Sequence, residues 1–529
     1  MRTNEYPNAP CAVSRAALLG WLLAYGYAAA EDGGVRFYIR EYRIEGIRTL
    51  KPLDVESSVY RFLGPARTPA DVEQARQALE KCYHSKGYQT VSVTIPEQDP
   101  RHGVIRMSVM EGKVARLHVS GAKWYLPSRI RKQAPSVAEG RVPNLNEVTR
   151  EMVALNRSAD RRITPELSPG EEPGTVDIEL KVDDKLPLHG SLELNNRYSP
   201  DTAPLRVNGA LSYANCFQLG HTFGLGFQLA PENPDDAAVF TAYYAAPVSE
   251  RGTIMLNATK QDSDISTVGG TNVGGRGEIV GVRWMYEPEA SGGFRQSVNL
   301  GFDCKNLEED VKIGGRTLSS PIEYYPIGAG YSAAWLAEDH FTEFNTSLTC
   351  NIRGLGSDTF DYANKRYGSS GGFVVWRADL AHTRDFAGGM QWFGKIQGQL
   401  ANQPLINSEQ FSGGGLGTAR GYLEATKLGD SGIFGTLEIR GPSLIGSEEK
   451  AGDDNEWRFH LFVDAGVLDL IDPLPGTEED MAFASFGLGT RFQLEKHYHG
   501  SLDLAVPLLD QPSANDNHPR ITFRGWIDF

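Results

Sequence analysis

The sequence predicts a multi-domain protein in which two small α+β modules precede a transmembrane antiparallel β-barrel. Three observations predict this fold: an apolar N-terminal leader, an order of strand and helix patterns that occurs twice before residue 184, and repeated apolar–polar alternation from residue 187 onward. The chain has 529 residues, which suggests more than one domain. Its mean hydropathy of −0.35 suits barrel strands, which alternate rather than form the long apolar runs of a transmembrane helix.

The first thirty residues are expected to be a signal peptide. Arg2 and Arg15 supply positive charge, Ala16–Tyr27 is apolar, and Ala28–Ala30 forms a small-residue cleavage site before Glu31. An uncleaved N-terminal helix is the alternative. Cleavage before Glu31 implies export from the cytoplasm.

Charge and residue counts argue against several kinds of binding site. A formal net charge of −15 argues against nucleic-acid binding. The cysteines outside the leader are Cys82, Cys216, Cys304 and Cys350. They are too few and too scattered for a disulfide framework or a zinc site, although a single bridge stays open. Because the histidines show no H-E-x-x-H or comparable spacing, we expect no metal and no other cofactor.

One motif invites a catalytic interpretation. Gly368–Gly372 reads GSSGG and fits the G-x-S-x-G pattern of hydrolases. A nucleophile elbow must follow a strand and open a helix, whereas this run precedes the strand pattern Phe373–Leu380. We therefore expect no enzyme and no catalytic residue.

The two modules are expected at residues 36–111 and 113–184. The first has an extended segment, two helices and two strands, predicted at Arg36–Glu45, Leu53–Leu63, Ala70–Ser85, Tyr88–Ile95 and Val104–Met110. The second repeats that order, with a strand, two helices and a final strand at Val114–Ser120, Pro127–Ala134, Leu145–Asn156 and Thr175–Val182. A clear turn within residues 165–182 separates the final strand from the strand before it. Apolar residues at three- and four-residue steps support the longest helix, Ala70–Ser85.

From residue 187 to residue 529 the alternation predicts barrel strands. A clear example sets Trp457, Phe459, Leu461 and Val463 against Arg458, His460, Phe462 and Asp464. One face would meet lipid and the other a hydrated lumen, which places Asp464 on the lumen side. A soluble β-sandwich also alternates. The leader, the strand lengths and the hydrophilic second faces favour the barrel.

The segment 403–432 interrupts this alternation with an Arg420-Gly421-Tyr422 tip between glycine-rich flanks. Glycine accepts positive φ at little steric cost, so such a segment can fold back on itself. It resembles the conserved inward-folding loop of two-partner secretion transporters (the TpsB class, or hemolysin-activator and filamentous-haemagglutinin transporter family). Residues 85–112 resemble part of a polypeptide-transport-associated (POTRA) domain, and the second module resembles another.

The resemblance implies specific roles for residues of this chain. Arg420, in TARGY, would pair with Asp464, in FVDAG, and anchor the loop, with Gly421 and Tyr422 completing the tip. The pairing is physically sensible, because a guanidinium is a planar fork that matches a carboxylate. An ordinary exposed loop arginine is the alternative for Arg420. The terminal Phe529, after an alternating strand, would be the signal read by the barrel assembly machinery.

The resemblance further implies sixteen strands, a barrel in outer-membrane lipid, modules in the periplasm, and export of an unfolded secreted exoprotein by a monomer. The predicted strand Tyr88–Ile95, beside the helix Ala70–Ser85, could receive a client strand by main-chain pairing. The client-binding candidates on it are Tyr88, Thr90, Val91, Val93 and Ile95. Modules that act only as spacers are the alternative.

Two other functions stay open from the sequence. An assembly factor that inserts other barrels shares the modules and the loop, although such factors often have more modules. A passive solute channel would leave the modules without evident use. A neighbouring reading frame for a large, repetitive exoprotein would discriminate among the three.

Overall fold

The structure, a computed structural model, describes residues 36–268, 271–313, 316–446, 455–475, 479–511 and 518–529. The predicted signal peptide, residues 1–30, lies outside these ranges. Within them, no helix has both the length and the apolar character needed to cross a membrane. The four cysteines Cys82, Cys216, Cys304 and Cys350 are free thiols.

The first module contains five strands and two helices: β1 (Phe37–Ile39), β2 (Glu41–Glu45), α1 (Pro52–Val59), β3 (Gly64–Arg67), α2 (Pro69–Ser85), β4 (Val91–Thr94) and β5 (Val104–Glu111). Its main sheet has the order β2-β5-β4. β2 runs parallel to β5 and β4 antiparallel to it, so β4 is an edge strand.

Helix α2 begins where the sequence provides a cap. The Thr68 hydroxyl accepts from the Asp71 main-chain N–H, and the Asp71 carboxylate accepts from the Thr68 N–H. This capping box satisfies two N–H groups that have no partner within the helix. Its buried face consists of Val72, Ala75, Leu79 and Tyr83, so the predicted amphipathic helix packs on the core of the module.

The predicted strand Tyr88–Ile95 is shorter in the structure, where β4 starts at Val91. Gly87 has φ +95°, and the N–H of Tyr88 donates back to the carbonyl of Tyr83 at the end of α2. The chain therefore turns through Gly87–Thr90 before it becomes extended. Tyr88 and Thr90 belong to this turn.

The second module contains β6 (Lys113–Ser120), α3 (Pro127–Gln133), α4 (Leu145–Leu155), β7 (Arg161–Pro169) and β8 (Thr175–Asp184). Its three strands form a sheet of order β6-β8-β7. The predicted helices and the predicted first and last strands agree with α3, α4, β6 and β8 within about two residues.

The rest of the chain forms a closed antiparallel barrel. Its elements are β9 (Leu188–Asn195), β10 (Arg206–Cys216), β11 (His221–Leu229), β12 (Ala237–Pro247), β13 (Gly252–Val268), β14 (Thr271–Tyr286), β15 (Phe294–Ile313), β16 (Arg316–Tyr324), β17 (Ile327–Leu336), β18 (His340–Cys350), α5 (Thr359–Lys365), β19 (Val374–Asp385), β20 (Gln391–Ala401), β21 (Phe411–Gly413), β22 (Lys427–Gly429), β23 (Ser431–Arg440), β24 (Glu456–Asp469), β25 (Asp480–Leu494), β26 (Tyr498–Pro507) and β27 (Arg520–Asp528).

The wall has sixteen strand positions, as the resemblance implied. β16 and β17 pair with consecutive stretches of β15 and together occupy one position. β27 closes the barrel against β9. Since successive strands alternate in direction, the connections that follow β9, β18, β20 and β24 all emerge at one end, here called the far end.

The alternation along the wall strands is confirmed. On β24, Leu461 and Val463 are exposed on the outer face, whereas His460 and Asp464 are buried on the inner face. The same contrast of apolar exterior and polar interior is what a lipid-facing barrel requires. The inner face of β24 is therefore available to a segment that enters the lumen.

Candidate functional site

The connection from β20 to β23, residues 402–430, folds into the barrel. β21 and β22 pair antiparallel and form the stem of a hairpin. Residues 418–422 at the tip beyond this stem are buried, with Ala419 fully buried and Arg420 only 5% exposed. Gly414 has φ +100° and Gly421 φ +94°, so glycines occupy the positions where the backbone reverses.

The tip arginine makes a two-carboxylate contact with the wall. Nε and Nη2 of Arg420 lie 2.8 and 2.9 Å from the two carboxylate oxygens of Asp464 on β24. The main-chain N–H of Arg420 donates to the same carboxylate at 3.0 Å. Nη1 donates to Glu438 on β23 at 2.7 Å. The guanidinium carbon also lies 3.5 Å from the ring centre of Phe462, a cation–π contact.

Glu438 links the tip to other cations of the lumen wall. Its carboxylate also accepts from Arg440 at 3.0 Å and from Arg491 at 3.1 Å. Three arginines thus share this one buried carboxylate. Beside them, Nε2 of His460 lies 2.7 Å from Asp503 on β26. Paired charges of this kind are held in place because an unpaired buried charge is strongly unfavourable.

Tyr422 fixes the tip to a different part of the wall. Its hydroxyl lies 2.8 Å from the carbonyl oxygen of Leu509 and 3.0 Å from that of Ala484. Its ring packs edge-on against Phe483, with 5.1 Å between ring centres. Gly421 passes close to β26, since a Cβ added there would lie 3.2 Å from the Pro507 nitrogen. The three tip residues named from the sequence therefore contact four neighbouring wall strands, β23 to β26.

Further contacts of the loop were not foreseen from the sequence. Glu424 accepts from Nε of Arg197 at 2.7 Å, and its main-chain N–H donates to the Tyr198 carbonyl. Near the start of the loop, Glu409 accepts from Nζ of Lys305 at 2.5 Å. Arg197 and Lys305 carry no local motif, and more than a hundred residues separate each from its partner. Their partners Glu424 and Glu409, by contrast, lie within the loop segment whose motif was recognised from the sequence.

The edge strand β4 of the first module exposes main-chain groups rather than the side chains of the client-binding candidates. Val91 and Val93 on β4 are only 2% exposed and pack into the core. Their carbonyls face the free edge, where Val91 O lies 3.2 Å from Nε2 of His84 and Val93 O accepts from Nη1 of Arg76 at 3.1 Å. Tyr88 and Ile95 are partly buried against the same core.

The two remaining residues named from the sequence, Thr90 and Phe529, each make defined hydrogen bonds. The Thr90 hydroxyl donates to the Gly112 carbonyl at 3.2 Å. Phe529 exchanges two main-chain hydrogen bonds of 2.9 Å with Gly190, and its exposed ring covers that glycine. The chain terminus is thus part of the seam between the last and first strands.

The hydrolase-like run Gly368–Gly372 lies in the connection between β18 and β19. Ser369 is buried, and the Ser370 hydroxyl donates to the side chain of Gln403 at 2.8 Å. The run precedes a strand, as predicted, and opens no helix. Within the described part of the chain, no cluster of three or more His, Cys, Asp or Glu side chains could hold a metal ion.

Comparisons with known proteins agree with this geometry. A family model described as "Haemolysin secretion/activation protein ShlB/FhaC/HecB" matches residues 174–492, and one described as "POTRA domain, ShlB-type" matches residues 37–112. The outer membrane transporter CdiB of Dickeya dadantii (strain 3937) is 21% identical over 410 residues, which cover 77% of this chain and 72% of CdiB.

Two solved structures share the fold. CdiB from Escherichia coli covers 96% of this chain and 93% of its own, with a TM-score of 0.58 and 20% identity. BamA from Haemophilus ducreyi lacking POTRA domains 1–3 covers 93% of this chain and 100% of its own, with a TM-score of 0.58 and 13% identity. Because the haemolysin secretion/activation model spans more than half of the chain, this protein belongs to the ShlB/FhaC/HecB family and is an outer-membrane transporter of two-partner secretion.

Proposed function

We propose that this transporter captures one unfolded exoprotein in the periplasm and passes it, as an extended chain, through the barrel lumen to the cell surface. The observation that carries the proposal is the burial of the Arg420 tip against Asp464 and Glu438. A loop held inside a lumen by a defined set of contacts can set its width, and its movement can change that width. No covalent chemistry is involved.

Client capture is assigned to the modules. β4 is the edge strand of a three-stranded sheet, and an incoming strand can pair with its free main-chain groups. Because Arg76 and His84 already contact the Val93 and Val91 carbonyls, the client strand would take their place. Residues 113–184 act as a second POTRA domain in this proposal.

The remaining parts have supporting roles. Phe529 serves as the signal for the barrel assembly machinery, and the apolar outer face contacts outer-membrane lipid. The protein works as a monomer, since one barrel contains the whole proposed path. Arg420 and Asp464 anchor the loop, and Gly421 and Tyr422 shape its tip.

The test is to express the transporter together with a candidate exoprotein from a neighbouring reading frame, in a host that has an outer membrane. The proposal predicts exoprotein at the cell surface or in the medium with the full chain, and none with a chain that lacks residues 36–111 but still inserts its barrel. Undiminished export by that truncation would show that the first module is a spacer. A fall in other barrel proteins when the transporter is depleted would favour an assembly factor instead.

A further inference from the structure

Glu409 is a second buried carboxylate of the loop, at its base rather than its tip. It is 2% exposed. It accepts from Nζ of Lys305 on β15 at 2.5 Å and from the Tyr324 hydroxyl on β16 at 2.9 Å. Nη2 of Arg377 on β19 lies 3.8 Å from its other oxygen. Three wall strands therefore converge on this one side chain, and none of them is contacted by the Arg420 guanidinium in the bonds described above.

The two limbs of the loop are joined at the same level. Nε2 of Gln399 lies 3.1 Å from the carbonyl of Glu409 on the entering limb and 3.0 Å from that of Asp430 on the returning limb. The fully buried Asp430 carboxylate accepts from the main-chain N–H groups of Leu405 and Ile471 at 2.8 and 2.9 Å. The base of the loop is thus bonded to β20 and to the connection after β24.

A cover segment, residues 351–373, keeps water from this base. Tyr362 on α5 packs edge-on against Tyr324, with 6.3 Å between ring centres, and both rings are buried. Ser370 bonds to Gln403 on the entering limb. Nη2 of Arg366 donates to the Ile471 carbonyl at 3.2 Å. The cover segment therefore spans the far end of the barrel from β16 to the connection after β24.

The tip and the base differ in what remains if the loop contact is broken. When Arg420 leaves, Glu438 keeps Arg440 and Arg491 as partners, whereas the buried Asp464 loses its described ion pair. When Glu409 leaves, Lys305 keeps no carboxylate among its described contacts, and it is enclosed beneath the Tyr324 ring. Leaving a buried charge without a partner is strongly unfavourable at either place. The base is in addition continuous with β20 and β23, so it has less freedom to move than the tip.

We propose that Glu409 is a positioning residue which, with Lys305 and Tyr324, fixes the base of the loop independently of the tip. The loop then opens the lumen by moving its tip about a base that stays in place. This inference rests on the proposed role of the loop in setting the width of the lumen. It assigns a function to the GSSGG run as well, because Ser370 holds the entering limb.

The experiment measures the conductance of the purified full-length protein in planar lipid bilayers, without any client. The readout is the fraction of time in high-conductance states, and heat modifiability on gels checks that the barrel is folded. Glu409→Gln should raise that fraction on the order of tenfold or more, because the fixed base is released. Asp303→Asn is the matched control, since it breaks the lumen ion pair with Arg283 on β14 and should leave the fraction unchanged.

Two combinations test the partners and the independence. Lys305→Met with Glu409→Gln should be no worse than either single variant, because the pair acts as one unit. Arg420→Ala with Glu409→Gln should multiply the two single effects, because base and tip act separately. A folded Glu409→Gln barrel that conducts as the unsubstituted protein does would overturn the proposal. A double variant equal to Arg420→Ala alone would overturn the independence.

A milder variant decides the matter if Glu409→Gln fails to assemble. Tyr324→Phe keeps the ring packed on Tyr362 and removes only the hydroxyl, with its bonds to Glu409 and Ser408. It should raise the open fraction by a smaller factor, and no change would overturn the proposal. Because no client is present, these results are separable from the secretion test, which can fail or succeed independently.

Discussion

Arg420 uses every edge of its guanidinium. Nε and Nη2 face Asp464, Nη1 faces Glu438, and the planar face lies on Phe462. Lysine could supply the charge but neither the fork nor the flat surface. The position therefore requires arginine for its shape as well as its charge, which explains why an Arg-Gly-Tyr tip was informative in the sequence.

Gly421→Ala should weaken the placement of the tip. The backbone at Gly421 has φ +94°, and an added Cβ would lie 3.2 Å from the Pro507 nitrogen. Positive φ costs a residue with a side chain about 1–2 kcal/mol. We expect secretion to fall severalfold while the barrel remains heat-modifiable, measured as exoprotein in the medium per folded transporter.

Gly388→Ala is the matched control for this prediction. Gly388 has φ +82° in the turn between β19 and β20, and an added Cβ would meet nothing within 4 Å. It should carry the same backbone cost without disturbing the loop. Equal secretion by the two variants would show that the close approach of Gly421 to β26 has no role.

At this scale the sequence predicted some residues and not others, for a physical reason. Asp464 was named from the resemblance, and the phase of a regular strand independently assigned it to the lumen face. Arg197 and Lys305 contact the loop only through the closure of the barrel, which brings distant strands together. No local pattern reports such a contact.

At the scale of elements, the first module depends on one buried carboxylate. Glu111 on β5 accepts from the main-chain N–H groups of Arg48 and Thr49 at 2.8 and 3.0 Å and from the Tyr83 hydroxyl at 3.0 Å. Burial alone would raise the pKa of Glu111, but these hydrogen bonds outweigh it and hold the pKa below its ordinary range. Burial is also the main cause of the raised pKa of Tyr83.

Glu111→Gln should destabilise this module by about 1–3 kcal/mol, since charge-assisted bonds are lost in a buried site. Because the folded pKa is depressed, the stability from Glu111 is complete above the unfolded pKa of about 4.3 and is lost as the pH falls through the folded pKa. Hydrogen exchange of residues 36–111 in the full chain measures both effects. Protection that is unchanged by the substitution above about pH 4.3 would contradict the account.

The edge of β4 is expected to be where a client strand pairs. A photo-crosslinking residue in place of Ser92 or Thr94, whose side chains are exposed beside that edge, should capture the exoprotein during export. The matched control replaces Glu45, which is exposed on β2 at the opposite edge of the sheet. Crosslinks of equal yield at Glu45 would argue against a specific edge.

Elements were predicted well where their pattern is long. The amphipathic helix α2 and the alternating strand β24 were recognised, whereas the seven-residue α5 was not. Its capping box, Asp358 with Asp361, was visible in the sequence but too short to stand out among loop residues. The predicted strand also began too early, at Tyr88, because the turn at Gly87 delays the start of β4 to Val91.

At the scale of the whole molecule, the last strand β27 and the terminal Phe529 pair with β9 and close the barrel. Phe529→Ala should reduce the amount of folded barrel in the outer membrane severalfold, because the terminal ring covers Gly190 and would serve as the assembly signal. Phe492→Ala is the matched control, since the Phe492 ring covers Gly500 in the same manner within the wall. Equal loss from both substitutions would assign the effect to packing rather than to recognition. Heat-modifiable transporter in membrane fractions is the measurement.

The central claim is that the loop is held in the lumen by Arg420 and Asp464 acting as one unit. Its most direct test is a double-mutant cycle on secretion of the exoprotein per folded transporter, with Arg420→Ala, Asp464→Ala and both together. Arg420→Ala leaves the buried Asp464 without its described partner, and Asp464→Ala leaves the buried Arg420 with Glu438 alone, so each costs up to about 3–5 kcal/mol. Each should therefore lower secretion by at least about tenfold. In the double variant Glu438 still has Arg440 and Arg491, so we predict secretion no lower than in either single variant. Defects that multiply in the double variant would contradict the account.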